Sequence, residues 1–141
     1  TFCYPQYLTA ADAVINFCKL KSHGMMGMSA AVKNLFGAIP GTLKPEYHFR
    51  YPDPRDFARM LVDLNAYFRP VLHIVDAVMA MEGNGPTQGT PRPMGALLAS
   101  QSSHQLDLAC AWLIGLERSR VPTLEAALER QWVPPKWRTS A

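Results

Sequence analysis

The sequence is poor in cysteine, and what it has is widely spaced. Cys3, Cys18 and Cys110 are the three among 141 residues, and no CxxC pair occurs. Zinc ribbons and iron–sulfur cysteine runs need thiolates in close pairs, so neither is encoded here. An odd count gives no disulfide framework and favours reduced thiols in a cytoplasmic protein. Charge is also sparse: 18% of residues are charged, and the formal net charge is +3 with no Lys/Arg block. That balance argues against a nucleic-acid partner. No apolar run approaches the roughly 18 residues of a membrane span, so no membrane partner is expected. The opening TFCYPQYLT has neither a methionine nor a basic-then-apolar leader and reads as a chain cut from something longer. There is no Walker loop, no GxGxxG and no internal repeat.

What remains fits one globular domain: 48% hydrophobic residues, with 12 prolines and 9 glycines scattered rather than clustered. Residues 13–18 are apolar and β-rich, as a buried strand requires. Residues 19–27 read as a loop, and 29–37 as a short helix capped by Ser29 with Val32, Leu35 and Phe36 facing inward. Asp53, Pro54 and Asp56 form a helix start, after which Phe57, Met60, Leu61, Leu64 and Phe68 fall on one face until Pro70. Residues 71–76 predict a second strand, 82–93 a turn-rich loop and 96–99 a third strand. Ser102 or Ser103 opens a helix to about Ile114, stopped by Gly115, and Thr123 opens one to about Trp132. The tail, with Trp137, reads as irregular. The alternation predicts an α/β fold with a mostly parallel sheet flanked by helices in a single domain, 1–141.

Ligands of parallel α/β sheets lie beyond the strand carboxyl ends. Three loops are therefore expected to converge at one rim: Lys19 to Gly24, Asp76 to Gly85, and Ser100 to Asp107. In the first, Gly24 and Gly27 permit close backbone approach, and a helix starting near Ser29 aims free N–H groups at an anion. Lys21, Lys33 and Asn34 add polar donors. The resulting expectation is a phosphate or carboxylate site, against a plain solvated turn. His23 and His48, with Asp76 or Glu82, are candidate ligands for a divalent metal. His23, Lys33 and Asp76 are the candidate catalytic groups, with His23 as a proton carrier. The constrained segment EGNGPTQGTPRP would preorganise Glu82, Asn84 or Arg92, or else be an inert Ω-type loop. His73, inside an apolar strand, reads as structural; His104 opens a helix, where a buried cap role stands beside a catalytic one. Asp107 is a ligand candidate whose position is equally explained by the dipole of its own helix. Met25, Met26 and Met28 read as packing.

Three stretches, KLKSHGMMGMSAAVKNLFGAIPG, VDAVMAMEGNGPTQGTPRP and LLASQSSHQLDLACAWLIGL, resemble in order the domain of unknown function 362 family, over about residues 12 to 116. Lys21, His23, Lys33, Asn34, Asp76, Glu82, Gly83, Asn84, Gly85, Pro91, Arg92 and Asp107 match that family's recurrent positions. Ala30 stands where glycine is common and Cys18 where proline is common, beside the proposed site. The resemblance implies an iron–sulfur cluster and a ferredoxin-like module as partner, yet the cluster cysteines are not in this chain. A dozen residues are also similar to the nickel-pincer lactate racemases, where a lysine placed like Lys33 tethers a cofactor and histidines serve the metal. Two functions follow as expectations. One is an anion- or cofactor-binding domain; the other is a non-catalytic scaffold or interaction domain.

Overall fold

A computed structural model describes residues 2–134. Four strands form one sheet in the order β2-β1-β3-β4: β1 (Ile15–His23), β2 (Gly27–Ser29), β3 (Leu72–Glu82) and β4 (Thr90–Ser100). β1 and β3 run parallel, from Ile15 opposite Leu72 to Lys21 opposite Met81. β2 and β4 each pair antiparallel with their neighbour. The sheet is therefore mixed, and the expected mostly parallel arrangement is corrected: two of its three pairings are antiparallel hairpins.

The strands outlast their apolar runs. Lys19–Gly27, expected as a loop, is the end of β1 and a short turn, because His23 pairs back onto Gly27. Alternation explains the extension: Asn16, Cys18 and Leu20 point into the core while Ile15, Phe17 and Lys19 point out. β3 likewise runs past Asp76 to Glu82, so that carboxylate lies mid-strand rather than at a strand end. β4 begins at Thr90, because an edge strand tolerates Pro91 and Pro93.

The helices are α1 (Ala31–Asn34), α2 (Lys44–Arg50), α3 (Pro54–Phe68), α4 (Ser103–Leu113) and α5 (Pro122–Glu129). α1 passes directly into a 3-10 turn, Leu35–Ala38. Asp53 caps α3 by accepting from the Arg55 N–H at 2.7 Å, with Pro54 at the first position. Its inner face buries Phe57, Leu61 and Leu64 completely. Each such side chain contributes about 1.5–3 kcal/mol. Ser102 caps α4, and Gly115 follows it at φ +67°. α5 ends at Glu129, short of Trp132. Nothing in the sequence reading anticipates α2.

One core lies between the sheet and α4 and α5, built on Leu20, Val75, Leu106, Cys110 and Leu124. A second gathers Met26, Val32, Phe36, Tyr47, Phe57 and Leu61 around α1, α2 and α3. These helices sit on one side of the sheet. The other side stays open, and Ile15, Phe17 and Leu97 there are 61%, 61% and 66% exposed. The expected tail and Trp137 lie outside the described residues.

Candidate functional site

The start of α1 decides what the polar groups can do. The sequence reading aims its first N–H groups at an anion, with Ser29 as cap. Instead Ser29 belongs to β2, Ala30 precedes the helix without a side-chain cap, and the N–H groups already have a partner. Asp107 Oδ1 accepts from Ala31 N at 2.7 Å, and Oδ2 accepts from Val32 N at 3.1 Å. The carboxylate comes from α4, is 2% exposed, and does not serve the dipole of its own helix. Burial pushes its pKa up to about 7, against the pull of the two N–H donors.

Asn34 is spent similarly. Its amide donates to Asn16 Oδ1 at 2.8 Å and to the Phe17 carbonyl at 3.2 Å, stitching α1 to β1. Asn16 in turn donates to the Ala31 carbonyl and to His73 Nδ1. His73 is thus structural, as expected, with its ring proton on Nε2. His23 Nδ1 accepts from the Met25 and Met26 N–H groups, both at 3.2 Å, and so closes the β1–β2 turn. Its proton also sits on Nε2. Burial, then Lys33, lowers its pKa to about 4. His48 stacks on Phe57 with ring centroids 4.5 Å apart, and burial followed by Lys33 lowers its pKa. His104 lies against Trp132, and burial pulls its pKa to about 4.

The turn segment between β3 and β4 satisfies itself. Arg92 pairs with Glu82 at 2.6 Å, and Asn84 donates to Gln88. Gly83 to Gly89 carry the turn, while Pro86 and Thr87 at its tip reach toward β1. Gly85 lies so close to Ser22 that a Cβ there would overlap the Ser22 carbonyl oxygen.

Those contacts frame a cleft of about 480 Å³. One wall is β1 with Phe17, Lys19, Lys21 and the adjoining Ser29; the other is the α1 segment with Lys33, Asn34 and Phe36; Lys44 and the Pro86–Thr87 tip close the ends. Four of the chain's five lysines, Lys19, Lys21, Lys33 and Lys44, line it. Asp76 is the one acidic residue in the lining, and Lys19 holds it at 2.6 Å. That bond lowers the Asp76 pKa. Lys21, Lys33 and Lys44 have no carboxylate partner among the described residues. Lys33 and Lys44 approach the Phe36 ring at 6.0 Å and 5.8 Å from its centroid. Both are cation–π distances. Burial, then the neighbouring Lys21 and Lys44 charges, lower the Lys33 pKa.

The structure therefore joins two of the three expected loops. Lys21, Ser29, Lys33, Asn34 and Asp76 meet at one cleft, while His23, His48, Gly24, Gly27, Glu82, Asn84, Arg92 and Asp107 are not in its lining. The third loop is corrected outright: β4 is antiparallel, so Ser100 to His104 lies at the other end, beside His73 and Trp132. Sequence reading missed Lys44. Its signal was a further lysine after Lys19, Lys21 and Lys33, at a proline-marked helix start.

Among the described residues, no group of three or more His, Cys, Asp or Glu side chains gathers to hold a metal ion. The implied iron–sulfur cluster does not fit either. Cys3 is exposed, whereas Cys18 and Cys110 are buried in the sheet core, where desolvation keeps both thiols protonated.

A small α/β domain with one lysine-lined cleft is the class these features define. The family described as "Domain of unknown function (DUF362)" matches residues 1–112, and the chain belongs to that family. It is 43% identical over 126 residues to "Thylakoid-associated protein sll1697" of Synechocystis sp. (strain ATCC 27184 / PCC 6803 / Kazusa). That stretch is 89% of this chain and 39% of the relative, so the chain spans well under half of the relative's length. No solved structure matches the chain. No helix among the described residues is long and apolar enough to cross a membrane.

Proposed function

We propose that the domain binds a small, multiply charged anion bearing phosphate or carboxylate groups in the lysine cleft. One observation carries this: four of five lysines converge on a single cleft whose lone carboxylate is already paired. Three uncompensated cations in a partly desolvated space repel one another, and an anion relieves that repulsion. Lys21, Lys33 and Lys44 are the charge donors. Ser29 and Thr87 line the same space, and Phe36 gives the cations an aromatic surface. His23 is not in the cleft lining, but Lys33 and Lys21 are near enough to depress its pKa, and its ring is uncharged. With Nδ1 occupied, it offers Nε2–H as a hydrogen-bond donor, so it positions rather than ionises at neutral pH. Asp76 fixes Lys19 and keeps one rim neutral. A divalent metal would reach this site with the anion, not on a preformed histidine set.

The test is thermal unfolding with and without pyrophosphate, across ionic strength. Pyrophosphate should raise the midpoint in a salt-sensitive way, and Lys33→Ala or Lys44→Ala should remove the rise. An equal midpoint with and without pyrophosphate at low salt would end the reading.

A scaffold reading draws on a different observation, the open sheet face bearing Ile15, Phe17 and Leu97. In that reading the domain holds a partner segment, with a ferredoxin-like module as the partner the family resemblance implies. The two surfaces meet at Phe17, which lines the cleft and also stands on the open face, whereas Ile15 and Leu97 belong to the face alone.

A further inference from the structure

We propose that Lys33 is an amine nucleophile that forms an imine with the carbonyl carbon of a small anionic carbonyl compound seated in the lysine cleft. This rests on the anion-binding reading above and adds a substrate class: an oxo acid or a phosphorylated aldehyde.

The geometry sets Lys33 apart from its neighbours. It belongs to α1, whose first N–H groups are clamped by the buried Asp107 carboxylate and whose Asn34 is tied to β1. Its backbone is thereby fixed against the cleft wall. Lys21 stands on the facing strand and Lys44 at the cleft end, and both charges act on Lys33. No carboxylate neutralises it among the described residues, since Asp76 is engaged by Lys19. An amine drawn partly out of water between two cations gives up its proton more readily than a free lysine, as burial and those two charges require. The same two cations attract the anionic end of a bound molecule. Lys33 is then the free amine beside the carbonyl that such a molecule carries.

The chemistry needs no further reactant. The Lys33 Nζ lone pair forms a bond to the carbonyl carbon as the C=O π electrons move to oxygen. The oxygen takes up one proton and gives a carbinolamine. It then leaves with a second proton as water, and C=N replaces C=O. Both protons are supplied in net terms by the amine, so amine plus carbonyl yields imine plus water with no change of oxidation state. Lys21 and Lys44 hold the anionic group throughout, and the Phe36 ring limits access of solvent to the new bond.

Pyridoxal 5′-phosphate is a suitable probe, being an aldehyde and a phosphate in one molecule. The intact chain is treated with less than one equivalent, reduced with borohydride, digested and mapped by peptide mass. Label concentrated on Lys33, with pyrophosphate protecting it, supports the inference. In Lys33→Arg, which keeps a cation without a nucleophilic amine, that label should vanish and the remaining lysines should not take it over. Label spread evenly over the five lysines overturns the imine even if pyrophosphate raises the unfolding midpoint. Label on Lys33 that pyrophosphate does not protect also overturns it, because the reaction would not occur in an anion-filled cleft. Even labelling together with no pyrophosphate response removes both this inference and the reading beneath it. Should Lys33→Arg fail to fold, the wild-type map alone decides.

Discussion

Asp107 ties two distant parts of the chain together. Its carboxylate satisfies two buried N–H groups 75 and 76 positions away. Asp107→Ala strands both donors, at about 1–3 kcal/mol each, so a loss of about 2–6 kcal/mol is expected from urea unfolding. Asp107→Asn keeps one acceptor oxygen and should lose less. Its titration has a signed consequence. A carboxyl with a pKa raised to about 7 from an ordinary 3.8 stabilises the fold below about pH 4, and that contribution is lost as pH climbs to about 7. His23 and His104 act oppositely. Lowered to about 4 from 6.5, their contribution is present above pH 6.5 and is lost as pH falls through 4. In the wild type the two slopes partly cancel. Asp107→Asn should therefore show a steeper stability loss than wild type as pH falls from 6.5 to about 4, read from chemical denaturation at each pH. Parallel curves would refute this account of the buried groups.

The elements divide into those legible in sequence and those set by partners. α3 was readable because Asp53 and Pro54 mark its start and its apolar residues keep helical spacing. α4 was readable from Ser102 and Gly115. The far end of β1 was not, because Lys19, Lys21 and His23 beside Gly24 mimic a loop, and β3 continues past Asp76 through an apolar run whose partner is the hairpin strand β4. The antiparallel sense of β4 depends on a hairpin whose strand begins with prolines, a composition that signals a loop in the absence of an edge. The clamp on α1 joins residues distant in sequence, so no local pattern announces it. Thus Lys21, Lys33 and Asp76 were found at the cleft, while the assignment of free helix N–H groups to a ligand failed. Two glycines test the hairpins. At Gly27, φ is +71° and a Cβ would overlap the Arg120 carbonyl. Gly27→Ala should therefore destabilise by more than about 1 kcal/mol in urea unfolding. Gly85→Ala would press on the Ser22 backbone and lift Pro86 and Thr87 from the cleft. It should weaken pyrophosphate binding by more than its loss of stability accounts for, measured by calorimetry beside thermal unfolding.

For the whole molecule, the lysine cleft and the exposed apolar sheet face adjoin at Phe17. The lysines concentrate at one cleft although the formal excess is +3, so local field rather than net charge governs what binds. Lys33, with its lowered pKa, should take up a proton when an anion binds under alkaline conditions. Calorimetry in two buffers of different ionisation heat should reveal that uptake, and Lys33→Ala should abolish it. The open sheet face bearing Ile15, Phe17 and Leu97 is an association hazard for the isolated chain. Leu97→Lys should reduce self-association in sedimentation runs while changing stability by no more than about 0.5 kcal/mol.

The Asp107 clamp also bears on how the cleft answers an arriving anion. The turn carrying Lys33 is moored to the protein interior through the neighbouring Ala31 and Val32 N–H groups, so the root of that side chain is fixed while its four-carbon stem stays free to turn. An arriving counter-charge therefore meets an amine whose anchorage needs no ordering, and the entropy lost on binding falls on side chains alone.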